Sequence, residues 1–225
     1  EEMRSLATAI YDNQSLLERV TLAAHDYVQQ YDYPLWAKRL ADLCADCLTD
    51  QRNEASTVHR DWLIRIIAKR QYKSYAEIGV WHGETAFRLA AETQLGRLVL
   101  VDPYDISLWD WPGQTQSAMD ALFRQVNGRV QNHKPVGRTT LLRKEGHSAA
   151  QDFADGEFDI AFIDGNHSYD SVSKDIAAWW PKIRRGGVLA GHDWNEDFPG
   201  VIKAVNEFAG QRNLPVHNEA YCWWF

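Results

Sequence analysis

From Tyr75 onward two hydropathy patterns alternate along the chain. Short apolar runs (YAEIGV, RLVLVD, DIAFID and GVLAGHD) and the more polar TTLLRKEG predict five strands. Between them, TAFRLAAET, a segment near 115–127, SAAQDF, SVSKDIAAWWPKIRR and PGVIKAVNEFAG carry apolar residues at helical spacing and predict helices. Apolar strands separated by helices predict an α/β fold: a Rossmann-like parallel sheet with helices on both faces. The end, LPVHNEAYCWWF, reads as one or two strands about a turn at Asn218, giving the sheet an antiparallel C-terminal edge.

Upstream the pattern is helical. SLLERVTLAAHDYVQQ and PLWAKRLADLCADCLT predict helices, with Pro34 at a first helical position. Residues 1–55 are therefore expected to form a helical N-terminal extension, a lid or a dimer arm, and 56–225 the α/β domain. Ser56 or Thr57 caps a further helix, VHRDWLIRIIAKR, whose Trp62, Leu63, Ile66 and Ile67 share one face. The long connection 103–138 holds the aromatic loop PYDISLWDWPG.

Charge narrows the partners. A net charge of −7 argues against a protein that grips the nucleic-acid backbone, and the one short basic cluster, Lys182 to Arg185, sits at a predicted helix C-terminus where it favours the helix dipole. No stretch is long and apolar enough to span a membrane, and no secretory signal is evident. Three cysteines close no disulfide framework. The Cys44–Cys47 pair lies in a helical pattern without a second ligand pair, so core thiols in a reducing, cytoplasmic setting are expected.

The chemistry gathers at strand ends. FDIAFIDGNHSYD places Asp164 and His167 after one strand, and GGVLAGHDW places His192 and Asp193 after the next. Open α/β sheets bind ligands at that edge, so these oxygen and nitrogen donors mark a site, including a candidate metal site. The first strand runs into Glu77-Ile-Gly79-Val-Trp81-His82-Gly83, a glycine loop before a helix N-terminus. Asp102 closes the second strand 23 residues beyond Gly79, where a carboxylate accepts hydrogen bonds from ribose hydroxyls. An adenosine-containing cofactor fits. A dinucleotide does not, because Trp81 and Glu84 stand where its fingerprint needs glycine and would crowd and repel a pyrophosphate. Glu77 suits a cationic ligand portion, and S-adenosyl-L-methionine carries a sulfonium and an ammonium with no phosphate.

On EIGVWHGET, FIDGNHSYD and GGVLAGHDW, residues from about Tyr75 to Phe208 resemble class I S-adenosylmethionine-dependent methyltransferases. The likeness is greatest to the group containing metal-dependent O-methyltransferases of sugar-bearing natural products, and more distant to catechol-type enzymes. The resemblance implies that Glu77 and Gly79, with Trp81 in the same loop, line the methionine portion. Gly83 and Thr85 shape the loop and open the helix, and Asp102 holds the ribose. Glu145, Gly146 and Ser148 fall where the fold contacts adenine, although Glu145 also suits a solvated turn and Ser148 a helix N-cap.

The resemblance further implies a metal held by Asp164, His192 and Asp193, with Asp164 also at the catalytic centre and among the cofactor-binding residues. His192 departs from the acid more typical there. Two carboxylates suit Mg²⁺, whereas a histidine shifts preference toward Mn²⁺ or other transition ions, and His192 equally suits substrate contact. His167 matches a general base, the alternative being that it orders the Asn166–Tyr169 turn, while Asp170 caps the following helix. The implied activity is methyl transfer to a hydroxyl of a small acceptor, a sugar-bearing or phenolic natural product. Tyr104, Trp109, Trp111 and Trp194 are candidates to stack on it, to form a lid, or to pack under the N-terminal helices. The alternatives are a non-heme iron hydroxylase-like enzyme on the same fold, an N-methyltransferase, and a non-catalytic binding protein. A homodimer or higher homo-oligomer is compatible with the resemblance.

Overall fold

The structure, a computed structural model, describes residues 58–108, 115–132 and 139–225. The helices expected in 1–55, the proposed domain boundary, the Cys44–Cys47 pair, Trp109 and Trp111 all lie outside the described residues.

Helix α1 runs through residues 58–70, as its apolar face predicts. There follow β1 (Ser74–Ile78), α2 (Glu84–Glu92), β2 (Arg97–Val101), a 3-10 turn (Ile106–Leu108), α3 (Gln116–Asn132) and β3 (Thr139–Leu142). The second half holds α4 (Gly146–Ala149) with a 3-10 turn (Ala150–Asp152), β4 (Phe158–Ile163), α5 (Tyr169–Trp179) with a 3-10 turn (Trp180–Lys182), and β5 (Ile183–Gly191). Helix α6 (Pro199–Arg212) and strands β6 (His217–Glu219) and β7 (Cys222–Trp224) end the chain.

The strands form one seven-stranded sheet in the order β3-β2-β1-β4-β5-β7-β6, with β1 to β5 parallel. β7 runs antiparallel to β5 and β6 antiparallel to β7, so the C-terminal edge is reversed as the sequence predicts. Within each apolar run, side chains alternate between two cores. Tyr75, Leu98, Leu100, Ile160 and Phe162 face the core that includes Leu63 and Ile67 of α1 and Leu89 of α2. Ala76, Val99, Val101, Ala161 and Ile163 face the one built with Ile176 and Trp179 of α5 and Val205 of α6. Burial on both faces explains why the runs read as continuous rather than alternating.

From β1 the chain steps outward to β2 and β3, then returns to place β4 on the other side of β1. Their neighbouring C-terminal ends form a topological switch point, where such sheets open a ligand crevice.

Several local expectations need correction. The helix predicted for 171–185 ends at Trp179, because Pro181 cannot continue it; Ile183 to Arg185 open β5 instead. There Arg184 pairs with the Asp159 carboxylate rather than serving a helix dipole. The β4–β5 register jumps from Phe158↔Ile183 to Ile160↔Val188, so the residues between bulge outward. At the far edge the turn falls on Ala220 and Tyr221, whose φ values of 54° and 59° make a two-residue hairpin loop. Asn218, the expected turn residue, pairs with Trp223 inside the ladder. Helix α3 runs to Asn132, past the predicted 127. Ser168, not Asp170, caps α5, its hydroxyl accepting from the Ser171 N–H at 3.3 Å. Ser148 lies within α4 and is not its N-cap, a place held by Glu145. Among the described residues no helix is long and apolar enough to cross a membrane.

Candidate functional site

The glycine loop leaves β1 through Gly79, whose φ of 92° favours glycine and whose N–H donates to the Val101 carbonyl at 2.9 Å. A Cβ at Gly79 would lie 2.1 Å from the Asp164 carbonyl oxygen, so the ends of β1 and β4 meet only because no side chain intervenes. Gly83, with φ of 75°, turns the chain into α2, and a Cβ there would strike the Phe87 ring. Trp81 also has a left-handed φ, 51°. Asp102 organises this loop. Its Oδ2 accepts from the N–H groups of Val80 and Trp81, both at 2.9 Å, and its Oδ1 from the Tyr104 N–H at 2.8 Å. Burial pushes its carboxyl pKa up, and those three bonds pull against the shift. Tyr104 is buried and donates its hydroxyl to the Trp81 carbonyl, so it braces the loop instead of facing an acceptor.

An open cleft lies over this edge, lined by Gly79, Asp102, Glu145, Gly146, Gly165 and Asn166 among others. Of the cofactor residues expected from sequence, Gly79, Asp102 and Glu145 line the cleft. Glu77, Trp81, Gly83, Thr85, Ser148 and Asp164 are not part of its wall. Glu77 is buried beneath the loop, where its Oε2 accepts from the Tyr75 hydroxyl at 2.8 Å. Burial pushes its pKa up to about 8, so the buried carboxyl holds a proton at neutral pH. Thr85 opens α2, and its Oγ1 lies 3.1 Å from Arg60 Nε and 3.2 Å from His59 Nε2, tying α1 to the loop.

At the ends of β4 and β5 the acids and histidines converge. His167 Nε2 donates to Asp193 Oδ2 at 2.7 Å, and His192 Nδ1 to Asp193 Oδ1 at 3.1 Å. Burial opposes it, but these two donors hold the Asp193 carboxyl well below the usual carboxylate range. Burial raises the Asp164 pKa; the charge of His192 opposes that rise and Asp193 adds to it. His192 Nδ1 stands 3.6 Å from Asp164 Oδ1. Burial pulls His192 down, yet its bond to Asp193 and the charge of Asp164 leave its pKa raised.

Ligand atoms of Asp164, His167 and Asp193 all lie within 4.8 Å of one another, so these three form the candidate cation cluster among the described residues. The expected trio had His192 in place of His167. The His192 ring instead leans inward on His59, with centroids 4.4 Å apart, and its Nε2 is buried without a hydrogen-bond partner. Two carboxylates and an imidazole are a donor set that fits a divalent ion. Ligation by His167 would displace its bond to Asp193.

Three groups near the site escaped the sequence: His59, His147 and Asp175. His59 reaches the site from α1, 133 positions before His192 in the sequence. Burial pulls its pKa down to about 3, which keeps it neutral. His147 and Asp175 line the far end of the cleft. His147 comes with its neighbours Gly146 and Ser148, whereas no local motif marks His59 or Asp175, which packing between distant elements brings in.

A parallel sheet with a reversed edge, a glycine loop at the switch point and an acid closing β2 define a class I methyltransferase fold. Residues 76–194 match the model of a family described as Methyltransferase domain, and the chain belongs to that family. In solved structures the fold recurs in a Staphylococcus aureus protein provisionally assigned as a caffeoyl-CoA O-methyltransferase. The two are 11% identical with a TM-score of 0.57, over 83% of this chain and 96% of that one. It recurs in CalS11, a TDP-rhamnose 3′-O-methyltransferase of calicheamicin biosynthesis, at 13% identity and TM-score 0.50, over 92% and 93% of the two chains. A methyltransferase from Geobacter sulfurreducens, 12% identical with a TM-score of 0.53, shares it over 74% and 76%. An uncharacterized protein of Acanthamoeba polyphaga mimivirus, R132, is 26% identical over 137 residues; the match spans 60% of this chain and 58% of that protein.

Proposed function

We propose that this protein transfers the methyl group of S-adenosyl-L-methionine to a hydroxyl of a small sugar-bearing or phenolic acceptor, with His167 as general base and a divalent cation, Mg²⁺ or Mn²⁺, assisting. One observation carries the proposal. The cleft beside the glycine loop and the Asp164–His167–Asp193 cluster share Gly165 and Asn166 as a common wall, so a cofactor in one adjoins an acceptor in the other. The two O-methyltransferases that share the fold favour oxygen as the acceptor atom.

The cofactor supplies an electrophilic methyl group on a sulfonium. The chain's own residues bind and orient. Gly79 lets the backbone approach, Asp102 fixes the loop and offers its remaining lone pairs to the ribose, and the buried Glu77 would answer the positive charge only by giving up the proton it holds at neutral pH. Asp193 accepts a hydrogen bond from His167 Nε2 and so orients the imidazole that takes the acceptor's proton. The ionised Asp193 then stabilises the imidazolium, and His192 holds Asp193 from its other oxygen. With His167 kept as base, Asp164 and Asp193 would be the residues that hold a cation, a small carboxylate set of the kind Mg²⁺ accepts. A cation held there would supply Lewis-acid chemistry, lowering the acceptor hydroxyl's pKa.

The test is a labelled-methyl transfer screen over sugar nucleotides, glycosides and catechols, with and without chelator, on wild type and His167→Ala. Transfer to oxygen that falls about 100-fold or more in the variant supports the proposal. Transfer to nitrogen, or none from a protein that binds the cofactor, contradicts it.

A further inference from the structure

The loop from β5 to α6 carries more than Asp193. Further along it, Phe198 sets its ring against the His167 imidazole, with centroids 4.3 Å apart and planes tilted by 48°. The sequence fixes that ring in place. Pro199 disfavours helix at the residue before it, and Phe198, with φ −120° and ψ 65°, stands outside α6 as its N-cap. Its N–H donates to the Asn195 carbonyl at 3.1 Å, and the Asn195 side chain accepts from the Asp197 N–H at 2.8 Å. Gly200 then seats the first turn of α6 on the backbone that carries His167. A Cβ there would lie 2.7 Å from the His167 carbonyl oxygen and 2.8 Å from the Tyr169 nitrogen.

One short loop thus holds the imidazole in two ways. Asp193 Oδ2 meets the ring edge, 2.7 Å from Nε2, while the Phe198 ring packs against the imidazole. The two constraints differ in kind. A hydrogen bond at one ring nitrogen sets a distance but leaves the ring free to turn about the bond. A rigid aromatic ring in contact opposes that turn by its bulk. The restraint matters because 33% of the His167 side chain is exposed, so general burial does not hold it. A base must bring its lone pair within hydrogen-bond reach of the hydroxyl, and a misplacement of about 1 Å costs about 100-fold.

We propose that Phe198 is a positioning residue for the general base, its ring holding the His167 imidazole in the orientation that takes the acceptor's proton. The inference rests on the reading of His167 as that base. Leucine at 198 fills much of the same space with a branched, flexible chain and lacks the flat ring. Tyrosine keeps the ring, and because Phe198 is only half-buried the added hydroxyl is tolerated.

The experiment compares wild type, Phe198→Leu and Phe198→Tyr in two measurements. The first is steady-state methyl transfer to the acceptor found by the screen above. Phe198→Leu is expected to lower kcat about 10-fold or more with KM for S-adenosylmethionine within about 2-fold, and Phe198→Tyr to stay within about 3-fold of wild type in kcat. The second is 13C relaxation of the His167 imidazole, assigned by its loss in His167→Gln, which needs no acceptor. The ring is expected to be as rigid as the backbone in wild type and Phe198→Tyr, and mobile in Phe198→Leu. A purely structural role would lower the melting temperature of Phe198→Leu yet leave its imidazole rigid, and that result overturns the inference. Unchanged kcat in Phe198→Leu overturns it as well. If His167→Ala turns over like wild type, or no acceptor is methylated, the base reading falls and the inference falls with it, whatever the relaxation shows. Should Phe198→Leu fail to fold, Phe198→Met takes its place, and an imidazole mobile in folded wild type contradicts the inference without any variant.

Discussion

Asp102 and Asp164 each close a strand that flanks β1, and the protein treats them differently. Asp102 is held by three backbone N–H groups from the glycine loop and its own strand end. Asp164 is fixed through its backbone, its N–H donating to the Ile78 carbonyl at 2.7 Å, while its carboxylate faces the side chains of His192 and Asp193. The cofactor half is thus organised by main chain and tolerates little change, because any loss there unpairs buried N–H groups. The reacting half is a side-chain network on a finished frame, and its members are replaceable without dismantling the sheet.

Breaking the cofactor half has the largest effect on stability. Asp102→Ala leaves three backbone donors without their acceptor and is expected to cost about 3–5 kcal/mol in urea unfolding. Gly79→Ala, whose Cβ would overlap the Asp164 carbonyl at a φ of 92°, is expected to cost about 3 kcal/mol or more. A loss below about 1 kcal/mol in either would show that the loop is not built around these contacts. In the reacting half the loss falls on turnover instead. His167→Ala is expected to lower methyl transfer by about 10²–10⁴-fold while unfolding within about 1 kcal/mol of wild type.

The two halves were not equally legible in the sequence. Four of the five parallel strands were, because burial on both faces leaves apolar runs with acids near their ends that mark the binding edge; β3 is a half-buried edge strand with a weaker signal. Asp102 was recognisable at the end of RLVLVD, but its three backbone partners are a property of the folded loop. The turn at Ala220–Tyr221 was hidden because neither residue favours positive φ, whereas Asn218 does and sits in the ladder. The place of His167 in the cation cluster, the inward lean of His192 on His59, and Asp175 behind Gly146 all depend on packing between remote segments.

A finer contrast lies in protons. Glu77 has an ordinary pKa of 4.5 and a folded value of about 8, so between these limits the folded protein keeps a proton that the unfolded chain has lost. Stability from this group therefore falls as pH rises from about 4.5 through 8 and levels off above. Asp175 acts in the same direction with a folded value of about 7, so the Glu77 part is isolated by comparing wild type with Glu77→Gln. Urea midpoints between pH 5 and 9 are expected to decline less steeply in Glu77→Gln; parallel curves would refute the shift. A cationic ligand above Glu77 favours its ionised form, so cofactor binding at pH 7 is expected to release protons, seen as a dependence of the binding heat on buffer ionisation. The smallest effect is far from both halves. Arg88 bridges Asp61 and Glu92 at the surface, and Arg88→Ala is expected to shift stability by no more than about 0.5 kcal/mol.

The central claim, that the crevice between β1 and β4 is a site for S-adenosylmethionine, is tested most directly by calorimetric titration of the chelator-treated protein. The account predicts saturable, micromolar binding of S-adenosylmethionine, none of NAD⁺, and a change in the heat when Mg²⁺ or Mn²⁺ is added. No binding of S-adenosylmethionine under any metal condition would contradict it.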